Sequence, residues 1–500
     1  MKKNEILENI RIDKLIFGGK GLAMAPDGRK IIIAGGAVPL SIVNLRILKV
    51  RTNYFEAQIV NTVKKSPLEQ ELPAHYQVYG GCKWLPIAYE EQLKIKSEQV
   101  KEAFHYIEKY WDESSSSLRG TEGRGNLLAS DGKEGRDRHA SLAMTPIFHS
   151  IVPSPEIYGY RNKVEFSWGK YISEKEGIHD DFRFGFHAQG QFDRIIDCDF
   201  CVLADDEINA IFREMNTYSR ASGLPTYDPK INVGFWRHFV VRKAHFTGEI
   251  MLILSVNHEF EEYNRKYEGD ILIFAGKLME QFPHIASIYL LLNSGRADIV
   301  TGEAILMKGK PTITENLLGK SFEINPKSFF QTNSLGAEKL YSVVRDCMKT
   351  SGGTLLDLYA GTGTIGILLA DRFEHVYSVE LVAEASKDGA KNALKNGVTN
   401  ITFINEKTEK FLPRFLEENV GIKNISLVID PPRDGMHPDA LPDILKFNAK
   451  EIIYVSCNPA TLARDLDYIL ANSDYRLTDI IPVDMFPHTH HIETVVRLEK

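Results

Sequence analysis

The sequence predicts a multidomain protein in three parts: an N-terminal β-barrel, an α+β central domain and a C-terminal α/β domain of Rossmann-like type. Three observations predict it. Short strand-like runs broken by turn signals fill residues 10–62, and strand-like and helical runs mix between 150 and 320. After Asn325 strands and helices alternate. Five hundred residues exceed one ordinary core, so two or three domains are expected, with boundaries at 1–62, 63–320 and 321–500.

In the first part, Gly18-Gly19-Lys20-Gly21 and Pro26-Asp27-Gly28 punctuate runs such as KIIIAGGAV, SIVNLRIL and YFEAQIVNTV. Short strands at this spacing predict a small barrel. Residues 86–110 carry a helical period, with Leu93, Val100, Phe104 and Ile107 on one side. The stretch 111–143 is rich in Ser, Gly and charge with little to bury, and reads as a flexible insertion. The central domain then mixes EIMLILSVNHEF and SIYLLLNS with helical segments. The last part alternates TLLDLYA, HVYSVEL, NITFIN, ISLVIDPP and EIIYVSCNP with helices, the pattern of a doubly wound, mostly parallel sheet.

Composition excludes some function classes. With 43% hydrophobic and 25% charged residues the chain is that of a folded soluble protein. It shows no run of eighteen apolar residues and no signal-like N-terminus, so neither membrane nor secretion is expected. Five irregularly spaced cysteines suit reduced thiols in a cytoplasm. The net charge of −7 argues mildly against nucleic acid, yet the first sixty residues hold ten Lys/Arg against five Asp/Glu. Charge alone leaves the partner open, and a monomer is expected.

The strand TLLDLYA runs into Gly361-Thr362-Gly363-Thr364-Ile365-Gly366, a glycine turn that lets backbone N–H groups approach a ligand. Asp357 precedes the turn and Glu380 ends the next strand, where α/β folds grip ribose hydroxyls. A dinucleotide oxidoreductase competes. An acid ahead of the turn suits a cationic ligand better, and S-adenosylmethionine carries an ammonium and a sulfonium.

Two later strands end in reactive residues: Asp430 of Asp430-Pro431-Pro432-Arg433, and Cys457 of SCNP. The prolines stiffen the loop, and a cysteine near a helix N-terminus is expected to have a stabilised thiolate. Each alone reads as a strand exit or a buried small hydrophobe, the commoner case. Together, on neighbouring strand ends beside a donor site, they point to catalysis. Asp484, His488, His490, His491 and Glu493 suggest a metal site only as the minority reading.

These residues resemble the RNA (uracil-5-)-methyltransferase family, enzymes that act on 23S ribosomal and transfer RNA. The resemblance covers nearly the whole chain. YGYRNKVEFSWG, NPKSFFQTNSLGAEKLY, LLDLYAGTGTIG, VIDPPRDG, YVSCNP and DMFPHTHHIETVV stand in the family's order. It implies that the first part is a TRAM domain, an OB-like RNA-binding barrel. It also implies S-adenosylmethionine contacts at Gln331, Tyr359, Thr364, Glu380, Asp430 and, on the adenine side, Lys407. Cys457 is then the nucleophile that adds to uracil carbon 6, Glu493 the base, and Asp430 a stabiliser of charge on the ring. The target base would be flipped out to meet the thiol, with Phe329-Phe330 either stacking on it or packing in the core.

The chain also departs from the family. Many members hold an iron–sulfur cluster on four cysteines; here Pro73 and Tyr79 stand at two of those positions and only Cys82 and Cys201 match. An intact cluster is therefore not expected. Cys82 and Cys201 should lie close together, and with Cys198 and His75 they leave a zinc site conceivable beside the commoner alternative of buried thiols. The barrel leans the target towards 23S ribosomal RNA, with a transfer-RNA T-loop second. An RNA-binding or RNA-folding module and a cytosine-5-methyltransferase are the remaining competitors.

Overall fold

The computed structural model describes residues 1–500 except 74–75, 77, 112–144, 174–176, 189–190, 258, 260–264 and 298. The insertion expected at 111–143, after Trp111, lies outside the described residues, as does His75.

The first six strands are β1 (Ile6–Arg11), β2 (Lys14–Ile16), β3 (Lys20–Met24), β4 (Lys30–Ile33), β5 (Ile42–Val50) and β6 (Tyr54–Lys64). They bond in the order β1-β5-β6-β4-β3-β2. The edge strands β1 and β2 are consecutive, with only Ile12 and Asp13 between them, so the sheet must curl until its edges meet. At the link Ile12 donates to Ser41, next to β5, and Asp13 to Leu22 of β3, so consecutive residues bond to both ends of the sheet. Every second residue of β5 (Val43, Leu45, Ile47) points inward against Ile31, Ile33 and Phe55. Trp84 and Ile87, from beyond the strands, complete this core.

Helix α1 (Tyr89–Phe104) then crosses to the C-terminal body. Val100, Phe104 and Ile107 are buried there as their spacing predicts, whereas Leu93 is half-buried. The helix also buries Gln92, Lys96 and Gln99, which an apolar period does not reveal. Their partners come from distant parts of the chain. Gln99 donates to the Leu15 carbonyl, Gln92 bonds His488, and Lys96 Nζ lies 2.7 Å from Asp484 Oδ1 with both side chains fully buried.

β7 (Ile147–Phe148) precedes the central sheet, whose strands are β8 (Lys163–Ser173), β9 (Ile178–Ala188), β10 (Gln191–Asp197), β11 (Trp236–Lys243), β12 (Ile250–Val256), β13 (Ile285–Leu292) and β14 (Glu303–Gly309). Their order is β10-β9-β8-β11-β12-β13-β14. Helices α2 (Asp206–Ala221) and α3 (Arg265–Gln281) interrupt it. Phe212 of α2 stacks on Phe166 of β8, with ring centroids 4.1 Å apart, so α2 covers one face. Val240, Met251, Ile253 and Leu291 belong to the core shared with the C-terminal body.

The C-terminal body opens with the hairpin β15 (Ile313–Leu317) and β16 (Lys320–Ile324), then α4 (Ser334–Cys347). The alternating elements follow: β17 (Thr354–Leu358), α5 (Thr364–Leu369), β18 (His375–Glu380), α6 (Ala383–Lys395), β19 (Ile401–Asn405), α7 (Thr408–Glu418) and β20 (Ile425–Ile429). After these come α8 (Ala440–Lys446), β21 (Glu451–Ser456), α9 (Pro459–Ala471), β22 (Arg476–Val483) and β23 (Glu493–Glu499). The sheet order is β19-β18-β17-β20-β21-β23-β22-β7. It reverses between β17 and β20, which opens a crevice at the strands' carboxyl ends. β7 pairs with β22, so a segment that precedes the central sheet completes the C-terminal one.

Candidate active site

The glycine turn after β17 is shaped by close approach. Gly366 N donates to Asp357 Oδ2 at 3.0 Å, and a Cβ on Gly366 would stand 2.6 Å from that oxygen. Gly363 sits at φ +68° against the ring of Phe403, which a Cβ would meet at 2.4 Å. Tyr359 itself adopts φ 61°, a conformation a bulky residue rarely takes. Glu380 fastens the turn from outside, accepting from Gly361 N at 2.9 Å and Val382 N at 2.7 Å.

Three strand ends meet on the other side of the crevice. Asp430 follows β20 and Cys457 follows β21. Because β21 and β23 are antiparallel with Ser456 opposite Thr494, the next residues along, Cys457 and Glu493, face each other. A cavity of about 410 Å³ is lined by Asp430, Cys457 and Glu493 together with Gln331, Asp357, Tyr359 and Thr364. The sequence-predicted residues thus converge, with two exceptions. Glu380 is outside the cavity lining, its carboxylate accepting from the backbone of the turn. Lys407 is an exposed residue just before α7, paired with Glu409 at 3.9 Å and away from the cavity lining. The aromatic pair divides: Phe329 is 68% exposed at the cavity, while Phe330 packs against Phe322 in the core.

The wall that carries Gln331 is held by the central sheet. Asn162 donates to the Gln331 carbonyl and to Ser334 Oγ, and Ser334 donates to buried Glu315 at 2.5 Å. Arg242 fixes the start of the same loop through the carbonyls of Asn325 and Ser328. The Asp430 loop is held from below: buried Asp465 accepts from Met436 N and Tyr454 Oη. Arg433 bonds His491, and the Arg433 carbonyl accepts from Asn458 and Thr461. The Arg433–His491 contact spans 58 residues, and no sequence signal indicated it.

Burial dominates the electrostatics. It pushes the Asp357 and Asp430 carboxyls up to about 7 and Glu493 up to about 8, with Asp430 adding to the rise at Glu493. The Cys457 thiol is likewise pushed up to about 11, by burial and by Glu493, although Arg433 pulls it down. This corrects the expectation of a stabilised thiolate: burial, with Glu493 and Asp430 beside it, holds the proton on the sulfur. His491 is held down to about 2 by burial, His490 and Arg433, so it is a neutral acceptor for Arg433.

The chemistry of the cavity fits a cationic nucleotide-like ligand. Asp357 Oδ1 is buried and has no hydrogen-bond partner among the described residues, an acceptor aimed where a positive group would rest. The iron–sulfur position does not fit a cluster. Cys82 and Cys201 do come within each other's electrostatic influence, but the Tyr79 hydroxyl lies 2.7 Å from Cys201 Sγ. Pro73 and Tyr79 offer no thiolate to complete a four-cysteine set, and burial raises the Cys82 and Cys201 thiols. Among the described residues no group of three His, Cys, Asp or Glu is placed to hold a metal ion. In the minority metal reading, Asp484 is taken by Lys96 and His488 by Gln92.

Fold and site together define an α/β group-transfer enzyme that sets a thiol and a carboxyl against a nucleotide-type pocket. The sequence profile of the tRNA (uracil-5-)-methyltransferase family matches residues 306–500. An uncharacterised RNA methyltransferase of Caldanaerobacter subterraneus is 33% identical over 100% of both chains. Another from Clostridium acetobutylicum is 34% identical over 100% of this chain and 99% of its own. Among solved structures, Pyrococcus abyssi tRNA (uracil-54, C5)-methyltransferase, in complex with S-adenosyl-L-homocysteine, superposes with a TM-score of 0.70 at 24% identity, covering 98% of this chain and 100% of its own. The chain belongs to the RNA (uracil-5-)-methyltransferase family. No helix among the described residues is long and apolar enough to cross a membrane.

Proposed function

We propose that the protein methylates carbon 5 of a specific uridine in RNA, through a covalent adduct between Cys457 and carbon 6. The observation that carries this reading is the register that sets Cys457 opposite Glu493 beside Asp430, all lining one cavity. S-adenosylmethionine, when bound, supplies an electrophilic methyl carbon. Asp357 would hold its positive end, Gln331, Tyr359 and Thr364 its body, and Glu380 its ribose side. Lys407 would reach the adenine only by a turn of its exposed side chain.

The Cys457 thiol gives its proton to the Asp430 carboxylate in the same cavity as Sγ bonds to carbon 6, and the electron pair of the carbon 5–carbon 6 double bond moves to make carbon 5 a nucleophile. Asp430, pushed up to about 7, is partly protonated near neutrality and can donate to the uracil edge as negative charge develops there. Once carbon 5 carries the methyl group, Glu493 takes its proton, and the electron pair returns to expel the thiolate. Phe329 is exposed at the cavity and offers a ring for the unstacked base.

For the target we propose 23S ribosomal RNA, on the strength of the closed N-terminal sheet read as a TRAM domain. The Pyrococcus match favours a second reading, a transfer-RNA T-loop. It spans 98% of this chain, the N-terminal sheet included, so that sheet is shared with an enzyme whose name gives a transfer-RNA target. Mapping 5-methyluridine in total RNA from cells with and without the gene decides between them. Loss from 23S RNA supports the first and loss from transfer RNA the second; an unchanged map overturns both. A 5-fluorouridine RNA that forms no denaturation-resistant complex with the protein overturns the adduct.

A further inference from the structure

Beyond the cleft, the central sheet carries a second opening. Arg161, Lys163, Glu165 and Thr332 line a cavity of about 240 Å³ that shares Thr332 with the active site. Lys163, Glu165 and Ser167 alternate along β8 and so point to one side. Ser167 Oγ lies 3.1 Å from His187 Nε2, and His187 lines a farther cavity of about 250 Å³ with Lys170, Arg194, Asp228 and Lys230. Lys170, about 23 Å along β8 from Lys163 and of the opposite parity, enters the farther cavity from the other side of the strand.

The farther cavity is built for an anion with a flat apolar part. Three cations, Lys170, Arg194 and Lys230, face one carboxylate, Asp228, in a chain whose net charge is −7. Asp228 holds Lys170 only loosely, at 3.6 Å. Ile172, Ile195 and Pro229 supply an apolar wall. The floor is rigid. Tyr227 donates to Asn232 at 2.6 Å, and the Arg237 guanidinium lies 4.0 Å from the Tyr227 ring centroid while donating to the carbonyls of Asn293, Gly295 and Ala297.

We propose that this cavity is a second nucleotide subsite, in which Lys170 and Arg194 hold a phosphate and the apolar wall takes an unpaired base of the RNA strand that leads away from the target. The assignment rests on the RNA-methyltransferase reading above. It needs a strand long enough to run the length of β8, so the subsite serves long substrates and not short ones.

The test is binding of oligouridylates of about 4 and about 16 nucleotides, followed by fluorescence anisotropy across a salt series. The Lys170→Ala/Arg194→Ala double variant should lose about tenfold affinity for the longer probe and none for the shorter. Its slope of log affinity against log salt should fall by about 0.7, one phosphate contact on a single strand. Lys230→Glu, on an exposed loop residue, should show the same length-selective loss, and melting curves matching the parent's check both folds. Variants that bind the longer probe as the parent does overturn the subsite alone. A parent protein that binds neither probe overturns the RNA reading and the subsite with it.

Discussion

Asp357, Asp430 and Glu493 line one cavity, and burial holds each carboxyl above its ordinary value. Asp357 adds to the rise at Asp430, Asp430 to the rise at Glu493, and Cys457 feels both Glu493 and Asp430, so these titrations are linked. Glu493 acts as a base only once ionised, so kcat/KM should rise with pH up to about 8 in a pH–rate profile. A flat profile from pH 6 to 9 would contradict this. The same shift has a sign for stability. Glu493 holds its proton more tightly folded than unfolded, so its contribution is fully present below the unfolded value near 4.5 and is lost as pH rises through about 8. Glu493→Gln should therefore melt higher than the parent at pH 8.5 and alike at pH 4, while trapping the methylated adduct on denaturing gels. Cys457→Ala should abolish methyl transfer yet bind S-adenosylmethionine as before by calorimetry; retained turnover would remove the thiol from the mechanism. That Cys457, Asp430 and Glu493 converge on one cavity was legible because short, rigid motifs flank them. Arg433 against His491 was not, since only the folded chain brings them together.

At the scale of elements, α1 matters more than its apolar face suggests. Its buried Lys96 meets Asp484 and the Phe486 carbonyl, and its Gln92 meets His488 on both backbone and ring. The segment 484–491 leads directly into β23, so α1 sets the height at which Glu493 enters the cavity. Removing one partner leaves a buried charge alone, so Lys96→Met should cost about 3–5 kcal/mol in chemical denaturation. The paired Lys96→Met/Asp484→Leu variant should recover much of it. Equal losses in single and double variants would show that the pair is not coupled. The strands and helices of the C-terminal body were readable from alternation, and the N-terminal strands from turn residues. The polar stripe of α1 was hidden because period-based reading follows apolar residues, whereas these side chains are buried through hydrogen bonds.

Over the whole molecule, proximity in sequence and in space part company. β7 joins a sheet formed mostly by residues after 350, and Gly19 at the β2–β3 turn lies so close to His490 that a Cβ would stand 3.0 Å from its side chain. Hence no part of the chain is simply detachable: removing residues 1–62 would uncover Trp84 and Ile87 and leave Gln99 without the Leu15 carbonyl. Charge reversal is the cleaner probe of the N-terminal part. Arg11→Glu/Lys20→Glu, both on exposed residues, should weaken RNA binding most at low salt and leave S-adenosylmethionine binding unchanged. RNA affinity equal to the parent's at low salt would take the barrel out of the interface. That several sheets of α/β type make up the molecule was visible in the sequence, but the cross-connections were not, because they rest on single contacts between remote residues.

The phenol of Tyr79 on the sulfur of Cys201 sets this chain's relation to the cell's supply of iron. Where four cysteines would tie maturation to cluster assembly, a tyrosine is finished as soon as it is translated and folded. The level of 5-methyluridine should then track the amount of protein alone, in starved and replete cells alike. RNA modification by this enzyme would continue through a shortage that idles its cluster-dependent counterparts.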